Sequence, residues 1–214
     1  MTKITSENWL EAPNNKESFQ KVESLFDSVR IKRSSREPSR LPQNLKSLDS
    51  IQIQDIEGQN QTFQEMLTST HTDAFLVLKD GEILFEEYFN EMKSDSFHLM
   101  NSITKSFVGM LVGVLADKGI LNIKEKVTKY VPELNDGSFS DTTIQSALDM
   151  SSAVKFEEDY DDPLCDFWKE SAVVGWRPDL VDDNSPSSLL DFAMSLKDKE
   201  QEEIGGYHYR SVLT

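Results

Sequence analysis

Across residues 16–29 apolar side chains recur every three or four positions, at Phe19, Val22, Leu25, Phe26 and Val29. That is the period of an amphipathic helix. Residues 30–48 are basic and interrupted by Pro38 and Pro42, which predicts an extended connector. The pattern then changes to two β-rich runs, Phe75-Leu76-Val77-Leu78 and Ile83-Leu84-Phe85-Glu86-Glu87-Tyr88, on either side of Lys79-Asp80-Gly81-Glu82. Such runs around Asp-Gly predict a hairpin, because this dipeptide tolerates the positive φ angles of a tight turn.

Residues 102–118 read as a long helix, with Phe107, Met110, Leu111, Val114 and Leu115 as its core stripe and Val108 and Val112 widening it. Gly119 followed by apolar Ile120 predicts a left-handed cap at its C-terminus. The most apolar part, 107–116, carries Gly109 and Gly113 at the spacing of a membrane-dimer motif, but is about half of the ~20 residues a bilayer requires. A buried core helix is the expectation. Residues 122–130 and 143–150 also predict helices, 157–166 an acidic loop, and 187–196 a short helix with Ser185 or Ser187 near its cap. A helix, a hairpin and then a run of helices predicts an α+β body whose helical part is inserted after the first two strands.

Composition narrows the function classes. A length of 214 residues suffices for one sizeable core or one domain with a large insertion. The formal charge of −16 disfavours nucleic acid and anionic membrane as partners. Cys165 is the single cysteine, so no internal disulfide is expected. No basic segment followed by an apolar run opens the chain, so no secretory signal is visible and a cytoplasmic location is expected. The three histidines, His71, His98 and His208, are widely spaced and no glycine-rich phosphate loop is present. No metal or other cofactor is expected, and His98 reads as a packing residue.

Three Ser-x-x-Lys spacings occur, at Ser18/Lys21, Ser102/Lys105 and Ser152/Lys155. Ser18 falls within the predicted surface helix and Ser152 in a loop before an acidic stretch. Only Ser102 opens a strongly apolar helix. Three residues apart on a helix, a serine and a lysine share one face. The helix N-terminus adds backbone N–H groups and partial positive charge, which favour an oxyanion and disfavour a charged lysine. The same residues are equally compatible with a plain N-cap serine and a solvated first-turn lysine. Near the other end, Tyr207-His208-Tyr209-Arg210-Ser211 sets a phenol two residues before a small hydroxyl. Beside a cationic lysine such a phenol can serve as general base; by itself the cluster equally fits a core or a strand face.

Taken in order, these segments resemble a family. Thr72 to Gly81 with Glu87-Tyr88, His98-Leu99-Met100-Asn101-Ser102-Ile103-Thr104-Lys105-Ser106, Gly119-Ile120-Leu121, Tyr130-Val131-Pro132-Glu133-Leu134, Leu148-Asp149-Met150-Ser151-Ser152 and Tyr209-Arg210-Ser211 are similar to successive segments of the serine β-lactamase-related hydrolases. That group includes class C β-lactamases, certain esterases and 6-aminohexanoate-dimer hydrolases. Asn8-Trp9-Leu10 and Ala12-Pro13-Asn14-Asn15 resemble the leader of the last branch.

The resemblance implies a β-lactamase/transpeptidase-like fold, with a leader, helix and connector over 1–48 and a partial family domain over 49–214. It implies acyl transfer on a small amide or ester: Ser102 as nucleophile, Lys105 and Tyr209 as proton-transfer partners, the Ser102 N–H as half of an oxyanion hole, and Tyr160 and Ser211 as substrate contacts. A non-catalytic relative, acting as a binding or regulatory module, is the alternative. Family members continue past the tyrosine motif into further strands, one bearing a third motif and the second oxyanion N–H, whereas Thr214 stands three residues after Ser211. A fragment, with weak activity alone and self-association through an incomplete sheet, is therefore expected.

Overall fold

The computed structural model of the chain describes residues 3–200 and 206–214. It divides into two compact units, Met1–Leu99 and Met100–Thr214. Among the described residues no helix is long and apolar enough to cross a membrane.

The first unit opens with α1, a single turn at Asn15–Ser18. The helix expected over 16–29 is not formed: beyond α1 there is only a 3-10 turn at Val22–Ser24, and Val29 is exposed. Tertiary packing overrides the period here. Trp9 is buried and receives the edges of both Phe19 and Phe26, at 5.9 and 5.0 Å between ring centroids. Ser18 is buried as well, its hydroxyl donating to the Trp9 carbonyl, so it does not lie on a surface helix.

Two short strands that the pattern did not predict, β1 (Gln52–Gln54) and β2 (Asn60–Thr62), pair antiparallel ahead of α2 (Phe63–Ser69). Thr62 caps α2 in a reciprocal box with Glu65, satisfying backbone donors at that end. The predicted hairpin is present as β3 (Ala74–Lys79) and β4 (Glu82–Tyr88). Its turn residues Asp80 and Gly81 take φ of 52° and 81°, the geometry that favours Asp-Gly. Along β3, Phe75 and Val77 turn inward onto Phe63, Leu67 and Phe85, while Leu76 and Leu78 face outward. Part of the outer edge of β4 is taken by the connector: Ile83 N–H donates to Pro42, and Asn44 and Lys46 donate to Ile83 and Leu84. His98 is partly buried. It sits edge-on to Phe19, with one ring nitrogen 2.9 Å from Asp73 Oδ2 and the other 2.7 Å from the Leu99 carbonyl oxygen.

In the second unit a 3-10 turn at Asn101–Ile103 leads into α3 (Thr104–Asp117). The cap is as expected: Gly119 has φ +67°, and the N–H groups of Gly119 and Ile120 return to the Ala116 and Leu115 carbonyls. The burial is not as expected. No residue of α3 is buried, and Phe107 and Leu111 are 51% and 63% exposed. The less exposed face is instead Lys105, Val108, Gly109 and Val112, which line a cavity together with Ile144, Ala147, Leu148 and Leu213. A helix apolar nearly all round carries no strong preference between faces.

The helix expected over 122–130 reduces to a 3-10 turn at Val127–Lys129, because its backbone bonds go elsewhere. Val127 donates to Thr142, and Ile144 and Gln145 donate back to Glu125 and Ile123. α4 (Ile144–Leu148) forms as predicted under a Thr143 cap. An unpredicted helix, α5 (Asp166–Val173), follows the acidic loop. α6 (Leu189–Ser195) is capped by Ser188, one residue after Ser187 and three after Ser185. The core of this unit gathers Leu134, Phe139 and Val154 with Val131, Met194 and Leu196.

Candidate active site

All five residues singled out from the sequence lie in the second unit. Asn101 takes φ +43°, an uncommon backbone state that asparagine tolerates better than most residues. It turns the chain so that Ser102 stands, exposed, in the first turn ahead of α3. An N–H at this position has no intrahelical acceptor and is free to face a ligand.

Tyr209 comes from the far end of the sequence. Its phenol donates to Ser102 Oγ at 2.7 Å, across 107 positions of chain. The neighbouring backbone is anchored: His208 N–H donates to the Met150 carbonyl at 2.8 Å. Arg210 is only 2% exposed, and its guanidinium binds Glu200 and the His208 carbonyl. Lys105, one helical turn beyond Ser102, places Nζ 5.6 Å from the centre of the Tyr209 ring. This is within cation–π range. Lys105 makes no hydrogen bond to Ser102; that bond belongs to Tyr209.

Tyr160 and Ser211 meet at a carboxylate that the sequence did not single out. Glu158 Oε1 accepts from the Tyr160 phenol at 2.7 Å and from the Ser211 hydroxyl at 2.8 Å, while Oε2 accepts from the Ser211 backbone N–H at 2.8 Å. With both hydroxyl protons directed at Glu158, the two oxygens offer only lone pairs to anything else. Burial chiefly, and then this bond to Glu158, hold the Tyr160 phenol well above its ordinary titration range. The Tyr160 ring packs edge-on against Phe167, and Trp168 Nε1–H donates to the Tyr160 carbonyl, so α5 supports the loop.

Glu170, also on α5, was likewise missed. Burial pushes its carboxyl up to about 7, against the opposing pull of the Lys105 charge and with a further push from Glu158. Glu158 is hidden in the sequence among Glu157, Asp159, Asp161 and Asp162, and only its position two residues before Tyr160 marks it. Among the described residues no group of three or more His, Cys, Asp or Glu side chains could hold a metal ion. Ser18 and Ser152, the other serines with Ser-x-x-Lys spacing, are both buried.

The site thus brings together Ser102 ahead of a helix, Lys105 one turn on and Tyr209 delivered from a distant segment. The Beta-lactamase family model matches residues 60–183, more than half of the chain, and the chain belongs to that family. It is 32% identical over 195 residues to the 6-aminohexanoate-dimer hydrolase of Paenarthrobacter ureafaciens, covering 90% of this chain and 47% of that protein. A solved structure from Bacillus anthracis, provisionally described as a 6-aminohexanoate-dimer hydrolase, superposes with a TM-score of 0.80 at 25% identity, covering 99% of this chain and 55% of that one. The fold is thus β-lactamase/transpeptidase-like, and the chain spans about half the length of the relatives it matches.

Proposed function

We propose that the protein is a serine hydrolase of amide or ester bonds that works through an acyl-enzyme at Ser102. The observation that carries this reading is the 2.7 Å hydrogen bond between Tyr209 Oη and Ser102 Oγ, with Lys105 Nζ beside the same ring.

In the first step the Tyr209–Lys105 pair takes the Ser102 proton as Oγ bonds to the substrate carbonyl carbon. The Ser102 N–H at the helix start then donates to the developing oxyanion. The tetrahedral centre collapses, the bond to the leaving amine or alcohol breaks, and the proton held by the pair passes to that group. Water, deprotonated by the same pair, attacks the acyl carbon, the bond from that carbon to Ser102 Oγ breaks, and the pair returns the proton to Oγ. Tyr160 and Ser211 contact the substrate as acceptors, their protons being directed at Glu158.

The second reading is a non-catalytic binding module, favoured by the missing bond between Lys105 and Ser102. A fluorophosphonate probe, followed by mapping of the adduct, separates the two. Labelling at Ser102, lost in Ser102→Ala and slowed ~10²-fold or more in Lys105→Ala and Tyr209→Phe, is the hydrolase outcome. Full labelling of Ser102→Ala moves the nucleophile elsewhere and refutes the proposal. Turnover of a nitrophenyl ester and of a short amide oligomer then ranks the two substrate classes.

A further inference from the structure

We propose that Glu158 is a positioning residue that holds Tyr209 against Ser102, an inference that rests on the acyl-transfer reading above. Of the three donors that converge on its carboxylate, two belong to Ser211, which stands 53 positions away in sequence and two residues after Tyr209. Binding both the amide and the hydroxyl of one residue fixes its rotation as well as its place. On the other side of Tyr209, the His208 N–H is held by the Met150 carbonyl. Tyr209 therefore hangs between two anchored points, and its phenol reaches Ser102 only while both hold. The third donor, the Tyr160 phenol, brings the acidic loop to the same carboxylate. One side chain thereby couples the loop to the tyrosine motif.

The chemistry requires a carboxylate. Oε1 accepts two hydrogen bonds and Oε2 one, and a charged acceptor binds such donors more strongly than a neutral one. A glutamine has a single acceptor oxygen, and its amide N–H groups would face at least one of the three donors. Glu158→Gln thus preserves volume but weakens the clamp, because the charge is lost and a hydroxyl facing the amide N–H must reverse to accept. A displacement of ~1 Å at Tyr209 is enough to cost on the order of 10²-fold in a step that depends on orientation.

The test uses the full chain carrying 3-fluorotyrosine at position 209, with and without Glu158→Gln. Fluorine NMR reads the ring's surroundings independently of activity. A shifted or split resonance in Glu158→Gln is expected, with a smaller change in Ser211→Ala, which removes one of the bonds and serves alone if Glu158→Gln does not fold. In parallel, fluorophosphonate labelling of Ser102 at saturating probe should slow ~10-fold or more in Glu158→Gln. In a Tyr209→Phe background the same change should have little further effect, because a residue acting through Tyr209 is not additive with it. An unchanged fluorine resonance, or equal slowing in both backgrounds, overturns the clamp while leaving Ser102 as nucleophile. Persistent labelling of Ser102→Ala overturns the acyl-transfer reading instead, and the fluorine comparison still decides the clamp.

Discussion

Replacing Glu170 with glutamine should change how the stability of the protein depends on pH. Burial on α5 raises the Glu170 carboxyl from the ordinary 4.5 to about 7. A raised carboxyl means that the folded protein still holds a proton that the unfolded chain has released. Stability must therefore fall as pH rises between about 4.5 and 7, and the full cost is present above that window. A shift of this size corresponds to a ceiling of about 3 kcal/mol. Glu170 is only partly shielded from water, so ~1–3 kcal/mol is the working range. Glutamine is neutral throughout and escapes this cost. Paired melts of the wild-type chain and Glu170→Gln at pH 5, 6, 7 and 8 should show the variant gaining on the wild type as pH rises. At roughly 2–4 °C per kcal/mol for a chain of this size, the relative gain in Tm is ~2–12 °C by pH 8. Removing the opposing charge with Lys105→Met should move the midpoint of this dependence higher still. A difference between Glu170→Gln and wild type that stays flat with pH, or shrinks as pH rises, refutes the reasoning.

Two further outcomes can be checked by simple measurements. Gly119→Ala should destabilise by ~1–2 kcal/mol in urea unfolding; φ is +67° and nothing lies within 4 Å of the added methyl, so the whole effect is backbone strain. Asp141 is held at about 2 by hydrogen bonds from Lys126 and Lys199, and Lys199→Met should raise its NMR titration midpoint toward the ordinary carboxylate range, with an unmoved midpoint counting against the pairing.

What was legible in the sequence was local and carried by special backbone positions. Asp80-Gly81 set the hairpin and Gly119-Ile120 the end of α3, because positive φ restricts the choice of residue. The expected helix over 16–29 failed because a long-range partner, Trp9, draws Phe19 and Phe26 inward and breaks the period. The stripe on α3 was misplaced for the opposite reason, an excess of apolar residues on every face. In the candidate site, Ser102, Lys105 and Tyr209 were singled out because their chemistry is distinctive at their spacing and in their family segments. Glu158 and Glu170 were not, because what sets them apart is burial and convergence of donors from segments far apart in sequence. An acidic run looks the same whether its residues face water or fold inward.

Cys165 is 1% exposed, and its thiol donates to the Asp159 carbonyl at 3.1 Å, beneath the loop that bears Glu158 and Tyr160. As the single cysteine of the chain, it is a built-in clock for that loop. A disulfide reagent too large to enter the closed protein modifies it only during openings, so the rate of modification is the intrinsic thiol rate scaled by the open fraction. Each ~1.4 kcal/mol that a bound ligand adds to the closed state slows the clock tenfold. Loop closure can therefore be timed with a colorimetric reagent in a protein that carries no added label.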